Sequence, residues 1–307
     1  MLREFPTGNS KQRIERFARF PGGQVASAMV CCARLGWRAR YLGRFGSDEL
    51  GEIGRRSLTD EGVDVSAAEV VPGAHTRFAM ILVDGRTGDR TVLWDRDARL
   101  ALTADDVNAE AVRTSRILLV DCDDVEASVA AATIARASGV ITAIDVEAVL
   151  PGLDRLLPLV DVVIASEGFP ERWTASSETG RALERLDAEL RPALTCVTLG
   201  PRGSLARCQG REIRTPAFPV PCVDSTGAGD AFRGGFIAAL LQHGAGDVEL
   251  LLRTANAVAA LKCRTAGARE GLPHPAELAA LLGQDSAGTD RTKIGTVFAT
   301  GDGPRPG

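Results

Sequence analysis

The chain has 307 residues, 45% of them hydrophobic, enough to bury the core of one α/β domain with a small appendage. Its 40 acidic and 36 basic residues leave a net charge of −4 with no basic run, which argues against a nucleic-acid partner. The 7 cysteines form no C-x-x-C pair, so neither a disulfide framework nor a zinc site is expected. Apolar runs such as Phe236 to Leu241 are too short to span a bilayer and no signal peptide opens the chain, so a cytoplasmic location without a membrane partner is expected.

In chain order, residues 24–35 read as a helix of small residues, Tyr41-Leu42 as part of a strand, and 48–61 as a helix ending at Gly62. Thr76–Leu82 and Arg90–Trp94 read as two strands joined by the Gly- and Asp-rich loop 84–89. With residues 11–20 they are expected to form a small separate sheet. Then come strand Ile117–Val120, helix 124–138, strand Ile141–Val146, strand Val162–Ile164, helix 178–190 and strand Leu194–Leu199. Such alternation predicts a mainly parallel sheet with helices on both faces. Ligands of such sheets bind outside the carboxyl ends of the strands, where Asp121, Ser166 and Gly200 fall. A helix follows Gly227, carrying Phe232, Phe236, Ala239 and Leu240 on one face, and another spans 248–263. Beyond Gly283 the composition turns to Gly, Ser, Asp, Thr and Pro, so 283–307 is expected to be a disordered tail.

The run Val223-Asp224-Ser225-Thr226-Gly227-Ala228-Gly229-Asp230-Ala231-Phe232 carries the chemistry. Residues with little or no side chain start a helix whose bare N–H groups and dipole favour an anion. An aspartate in the same turn is placed to take a proton from an attacking hydroxyl, which suggests phosphoryl transfer to an alcohol. A dinucleotide fingerprint would need a glycine where Phe232 stands, and a phosphate loop would need a lysine after its last glycine. The lysines are only Lys11, Lys262 and Lys293. The plain structural alternative is that Asp230 only complements the helix dipole. Against it, Gly234 and Gly235 sit inside the helix, where each glycine costs about 1 kcal/mol, so close backbone packing is expected there.

This run resembles the C-terminal signature of the PfkB (ribokinase-like) carbohydrate kinases, and Gly22-Gly23-Gln24 before a small-residue helix ending at Leu35-Gly36 is similar to their N-terminal signature. The resemblance implies a ribokinase-like three-layer α/β/α sandwich. Its core would be 21–73 and 97–282, and its β lid 9–20 and 74–96. The lid covers the sugar and in some members makes a dimer contact. It implies ATP, Mg2+ and a small sugar as ligands. Asp230 would be the general base, and the amides of Gly227, Ala228, Gly229 and Asp230 the anion hole. Thr198, Gly200, Gly203 and Asn256 would meet the nucleotide; Gly22, Gly23, Gln24 and Ser27 the sugar. Asp224 would bind a monovalent cation such as K+, and Glu167 would meet Mg2+ through water, although Ser166-Glu167-Gly168-Phe169 departs from the family's Asn-x-x-Glu. The first core strand, which family members place at their start, has no counterpart in Met1-Leu2-Arg3-Glu4-Phe5: either the start was assigned too late or this form lacks the strand, which would leave an open edge in the sheet. Arg77, Arg90 and Arg96 around Phe78 suit an acidic or phosphorylated sugar. A nucleoside kinase of the same fold, and a non-catalytic sugar- or nucleotide-sensing protein on this scaffold, are the alternatives.

Overall fold

The computed structural model describes residues 6, 8–11, 13–15, 17–83 and 90–285. Its first unit runs α1 (Gln24–Arg34), β1 (Arg44–Gly46), α2 (Glu49–Thr59) and β2 (Glu69–Val71), with β1 and β2 paired in parallel. The lid is the antiparallel pair β3 (Phe78–Val83) and β4 (Arg90–Asp95). Then α3 (Ala109–Arg113), β5 (Ile117–Val120), α4 (Val125–Ala137), β6 (Ile141–Val146), α5 (Leu153–Leu156), β7 (Val162–Ser166), α6 (Phe169–Thr174), α7 (Thr179–Leu190) and β8 (Leu194–Thr198) alternate as expected. A hairpin of β9 (Ser204–Cys208) and β10 (Arg211–Thr215) leads to α8 (Ala228–His243), α9 (Val248–Lys262) and α10 (Pro275–Asp285).

The main sheet has six strands in the order β10-β9-β8-β7-β6-β5, parallel from β5 to β8 and antiparallel across β8, β9 and β10. Along β7 the side chains alternate between faces, as the two-residue period of a strand requires. Val162 and Ile164 join the core with Phe232, Phe236 and Leu252, while Val163 and Ala165 join Leu153, Phe169 and Leu186. The result is a ribokinase-like three-layer α/β/α sandwich. Both faces being covered explains why these strands read as continuous apolar runs.

Helix α8 is wedged between α1 and α9. A Cβ on Gly234 would stand 2.5 Å from Cys31 Cβ, and one on Gly235 would stand 2.8 Å from Val258 Cβ. The close backbone packing expected of these two glycines is what holds the anion site against the rest of the core.

Several expectations change. The strand placed at Tyr41-Leu42 lies at Arg44–Gly46, and its short partner β2 carried no sequence signal because two of its three residues are exposed. The described part of 11–20 contains no strand, so among the described residues the lid sheet is β3 and β4 alone. The loop 84–89 lies outside the described residues. At the other end the helix α10 continues to Asp285, past the expected start of the tail at 283; the remainder of the tail, 286–307, lies outside the described residues. The outer edge of β5 has no neighbouring strand among the described residues, and a groove of about 2930 Å³ runs from there to the start of α8. No described helix is long and apolar enough to cross a membrane.

Candidate active site

The groove ends on the first turn of α8. Gly227 caps this helix with φ 77°, a left-handed conformation that disfavours side chains, and a Cβ there would lie 2.6 Å from the Ala268 carbonyl oxygen. The turn before it is held by Asp224, whose two carboxylate oxygens accept from the Thr226 and Gly267 amides, each at 2.8 Å. Of the four amides expected to form the anion hole, that of Ala228 donates instead to the Ser225 carbonyl at 3.1 Å. Those of Gly227, Gly229 and Asp230 have no acceptor among the described residues. They point out of the helix start as unsatisfied donors, in a groove that Gly227, Gly229 and Asp230 all line.

Burial pushes the Asp230 carboxyl up to about 6, with Arg233, Arg269 and Lys262 pulling the other way and Glu147 adding to the rise. The ordinary aspartate value expected from sequence is thus displaced toward neutrality by desolvation. A base works only unprotonated, so kcat/KM is expected to climb with pH through about 6 and stay level above it. A profile flat from pH 4 upward would remove Asp230 from that role.

Beneath the anion site lies an ion pair that sequence reasoning missed. Arg233, one turn after Asp230, is 2% exposed and pairs with Asp145 at the end of β6, itself 1% exposed. Its guanidinium also donates to Ser166 Oγ at 3.3 Å and lies under Gly229. Arg233 was open to suspicion: an arginine three residues after the candidate base, in a run from Ala231 to Leu240 that is otherwise apolar or glycine, needs a buried partner.

The segment expected to meet the sugar is organised around Arg269. It is 4% exposed and donates to Ser27 Oγ at 3.1 Å, to Ser57 Oγ at 3.0 Å and to the Gly22 carbonyl, with no carboxylate within ion-pair distance among the described residues. Desolvation pulls its pKa down to about 10. Gly22, Gly23 and Gln24 line the groove as expected. Ser27 does not: it is fully buried and serves Arg269.

In the turn between β8 and β9, where the nucleotide was expected, Gly200 and Gly203 sit at φ 55° and 84°, closed by the Leu199 amide on the Gly203 carbonyl at 2.8 Å. Thr198 ends β8, its Oγ1 near the Ala165 carbonyl. Asn256 is 5% exposed and donates to Ser204 Oγ and the Thr215 carbonyl, the bonding of a tether between α9 and the β9–β10 hairpin rather than of an adenine contact. Glu167 forms a solvent-exposed ion pair with Arg202, so its expected part in holding Mg2+ is displaced; Ser166 faces the groove instead. The lid arginines are also committed: Arg77 pairs with Asp123 and Arg96 with Asp124. This overturns the inference of an acidic sugar drawn from them, because Asp123 and Asp124 already neutralise both charges. The Arg90 side chain lies outside the described residues.

Among the described residues no group of three or more His, Cys, Asp or Glu side chains is placed to hold a metal ion. Ser166 and Glu147 stand on the groove wall, where they would face a magnesium ion carried in by ATP phosphates.

The family model for pfkB family carbohydrate kinases matches residues 2–275. A fructokinase from Klebsiella pneumoniae is 31% identical over 283 residues, covering 86% of this chain and 92% of the relative. Among solved structures, an Agrobacterium tumefaciens protein assigned as a ribokinase superposes with TM-score 0.85 at 28% identity, covering 93% of this chain and 94% of that one. A Vibrio cholerae fructokinase holding fructose, ADP and calcium superposes with TM-score 0.75 at 26% identity, covering 90% and 94%; another form of it holds potassium. With these likenesses added to the uncapped amides beside Asp230, the chain belongs to the pfkB family and is an ATP-dependent carbohydrate kinase.

Proposed function

We propose that the kinase phosphorylates a hydroxyl of a small neutral sugar, with Asp230 as general base and the amides of Gly227, Gly229 and Asp230 as the anion hole. The observation that carries this reading is the set of three unsatisfied amides at the start of α8, in the same turn as a carboxylate that faces the groove. Phosphoryl transfer passes through a loose transition state with charge spread over equatorial oxygens, so positioned donors do most of the work. Asp230 accepts the hydroxyl proton as the oxygen attacks. Arg233, held by Asp145, supplies positive charge below the same turn.

Neutrality of the sugar follows from the charges around it. Among the described residues, Asp121, Asp123 and Asp124 line the wall at the end of β5, with Arg77 and Arg96 paired to the last two, which leaves that part of the wall net acidic. Carboxylates accept hydrogen bonds from hydroxyls and repel a second acid. At the opposite end Gly22 and Gly23 let backbone approach the sugar, and Arg269 holds that backbone in place. A coupled ADP-release assay with Mg-ATP across pentoses, hexoses, sugar acids, sugar phosphates and nucleosides tests the reading. Turnover is expected on pentoses or hexoses. Preference for sugar phosphates or nucleosides would overturn the neutral-sugar reading, and silence with ATP still bound would favour a sensing role.

The lid leaves Met80, Leu93 and Trp94 55%, 52% and 63% exposed. Apolar surface of this kind suits self-association through β3–β4. Sedimentation of Trp94→Glu beside the wild type is expected to show a dimer in the wild type only.

A further inference from the structure

Lys262 is one of three lysines in the chain, and it is 0% exposed. A lysine is almost never buried without a partner, because its charge is costly to desolvate. It ends α9, and its Nζ donates to the Asp224 carbonyl oxygen at 2.7 Å. The same stretch is stitched to the helix end by the amides of Val223 and Asp224, which donate to the Cys263 carbonyl at 2.8 and 3.2 Å. Gly267 closes the other side by donating to the Asp224 carboxylate. One cationic centre is therefore enclosed by the end of α9, the turn leading into the anion hole, and the loop after α9.

The resemblance to sugar kinases implies a potassium ion beside Asp224, and the residues present do not fit one. An alkali ion needs carboxylate and carbonyl oxygens turned toward it. Here both carboxylate oxygens accept from backbone amides, and the carbonyl accepts from an ammonium. A second monovalent charge at that carbonyl would stand directly against the first.

We propose that the Lys262 ammonium is the built-in monovalent cation of this kinase, occupying the place a potassium ion would take and making the enzyme independent of added alkali cations. Ammonium and potassium carry the same charge, and both prefer oxygen partners. Tethered to the helix, the charge is present without a binding equilibrium. Lys262 is a positioning residue: it holds the Asp224 turn, and through it aims the amides of Gly227 and Gly229. It also keeps the Asp230 carboxyl more acidic than burial alone would leave it. The proposal rests on the kinase reading above.

The test compares the full chain in KCl and in tetramethylammonium chloride at equal ionic strength, by thermal melting, by calorimetric ATP binding and by turnover. Wild type is expected to behave identically in both salts. Lys262→Met keeps the length of the stem and removes the charge. It is expected to melt lower and turn over more slowly in tetramethylammonium, and to recover in part with K+ or NH4+. A cation held at tenfold its dissociation constant would raise melting by about 3 °C. Simple loss of packing would show no such selectivity for a small cation. Stabilisation or activation of wild type by K+ would overturn the proposal, as would a Lys262→Met enzyme active equally in every salt. If that variant does not fold, the wild-type comparison still decides. Failure of the kinase reading would appear as no ADP release in any salt; the melting comparison needs no turnover and stands apart from it.

Discussion

Asp230→Asn is expected to lower kcat by about 10²–10⁴-fold while ATP affinity stays unchanged, the loss typical of removing a positioned general base. The substitution keeps the shape of the side chain but replaces one acceptor oxygen with an amide NH2 that cannot take a proton from the hydroxyl. A second readout has the opposite sign. Burial raises the Asp230 carboxyl from 3.8 to about 6, so the folded state binds a proton more tightly than the unfolded chain. That stabilising contribution is fully present only below about pH 4 and is lost as pH rises to about 6; above this the ionised group costs about 3 kcal/mol. Asp230→Asn is therefore expected to melt several degrees higher than wild type at pH 8 and no higher at pH 4. An active but unstabilised variant would show that the carboxylate neither accepts the proton nor bears the strain of burial.

Arg233→Met is expected to cost about 3–5 kcal/mol of stability, because it strands the Asp145 carboxylate in the interior. Asp145 is 1% exposed, and burial already drives its pKa upward against the pull of Arg233. Replacing both, as Arg233→Met with Asp145→Asn, should restore most of the stability, since a buried pair contributes little net energy once both charges are gone. Turnover should not recover with it. The guanidinium also bonds Ser166 and underlies Gly229, so the positive charge below the anion hole is lost in both variants. Urea unfolding and kcat, measured on both single variants and the double variant, separate the two roles. Full recovery of kcat in the double variant would confine Arg233 to folding.

Strands Ile117–Val120 and Ile141–Val146 were legible to the residue because strands covered on both faces are written as unbroken apolar runs. The β9–β10 hairpin was not, because arginines at 207, 211 and 214 interrupt its pattern at the rim of the sheet. The helix start at Gly227–Asp230 was equally legible, since a cap, a dipole and bare amides are properties of a few consecutive residues.

What the amino-acid order determined by itself is the layered α/β architecture and the bare-amide helix start at Gly227: both follow from backbone preference and hydrophobic period, which act over a handful of residues. The tertiary structure alone decided which charges meet. Arg269 finds Ser27 across 242 positions, Arg233 finds Ser166 across 67, and Lys262 reaches Asp224 across 38. It also tied Ser27 to Arg269, Glu167 to Arg202, and Arg77 and Arg96 to Asp123 and Asp124. Electrostatic partnership depends on distance in space and on the water that folding removes, and neither exists until the layers have closed.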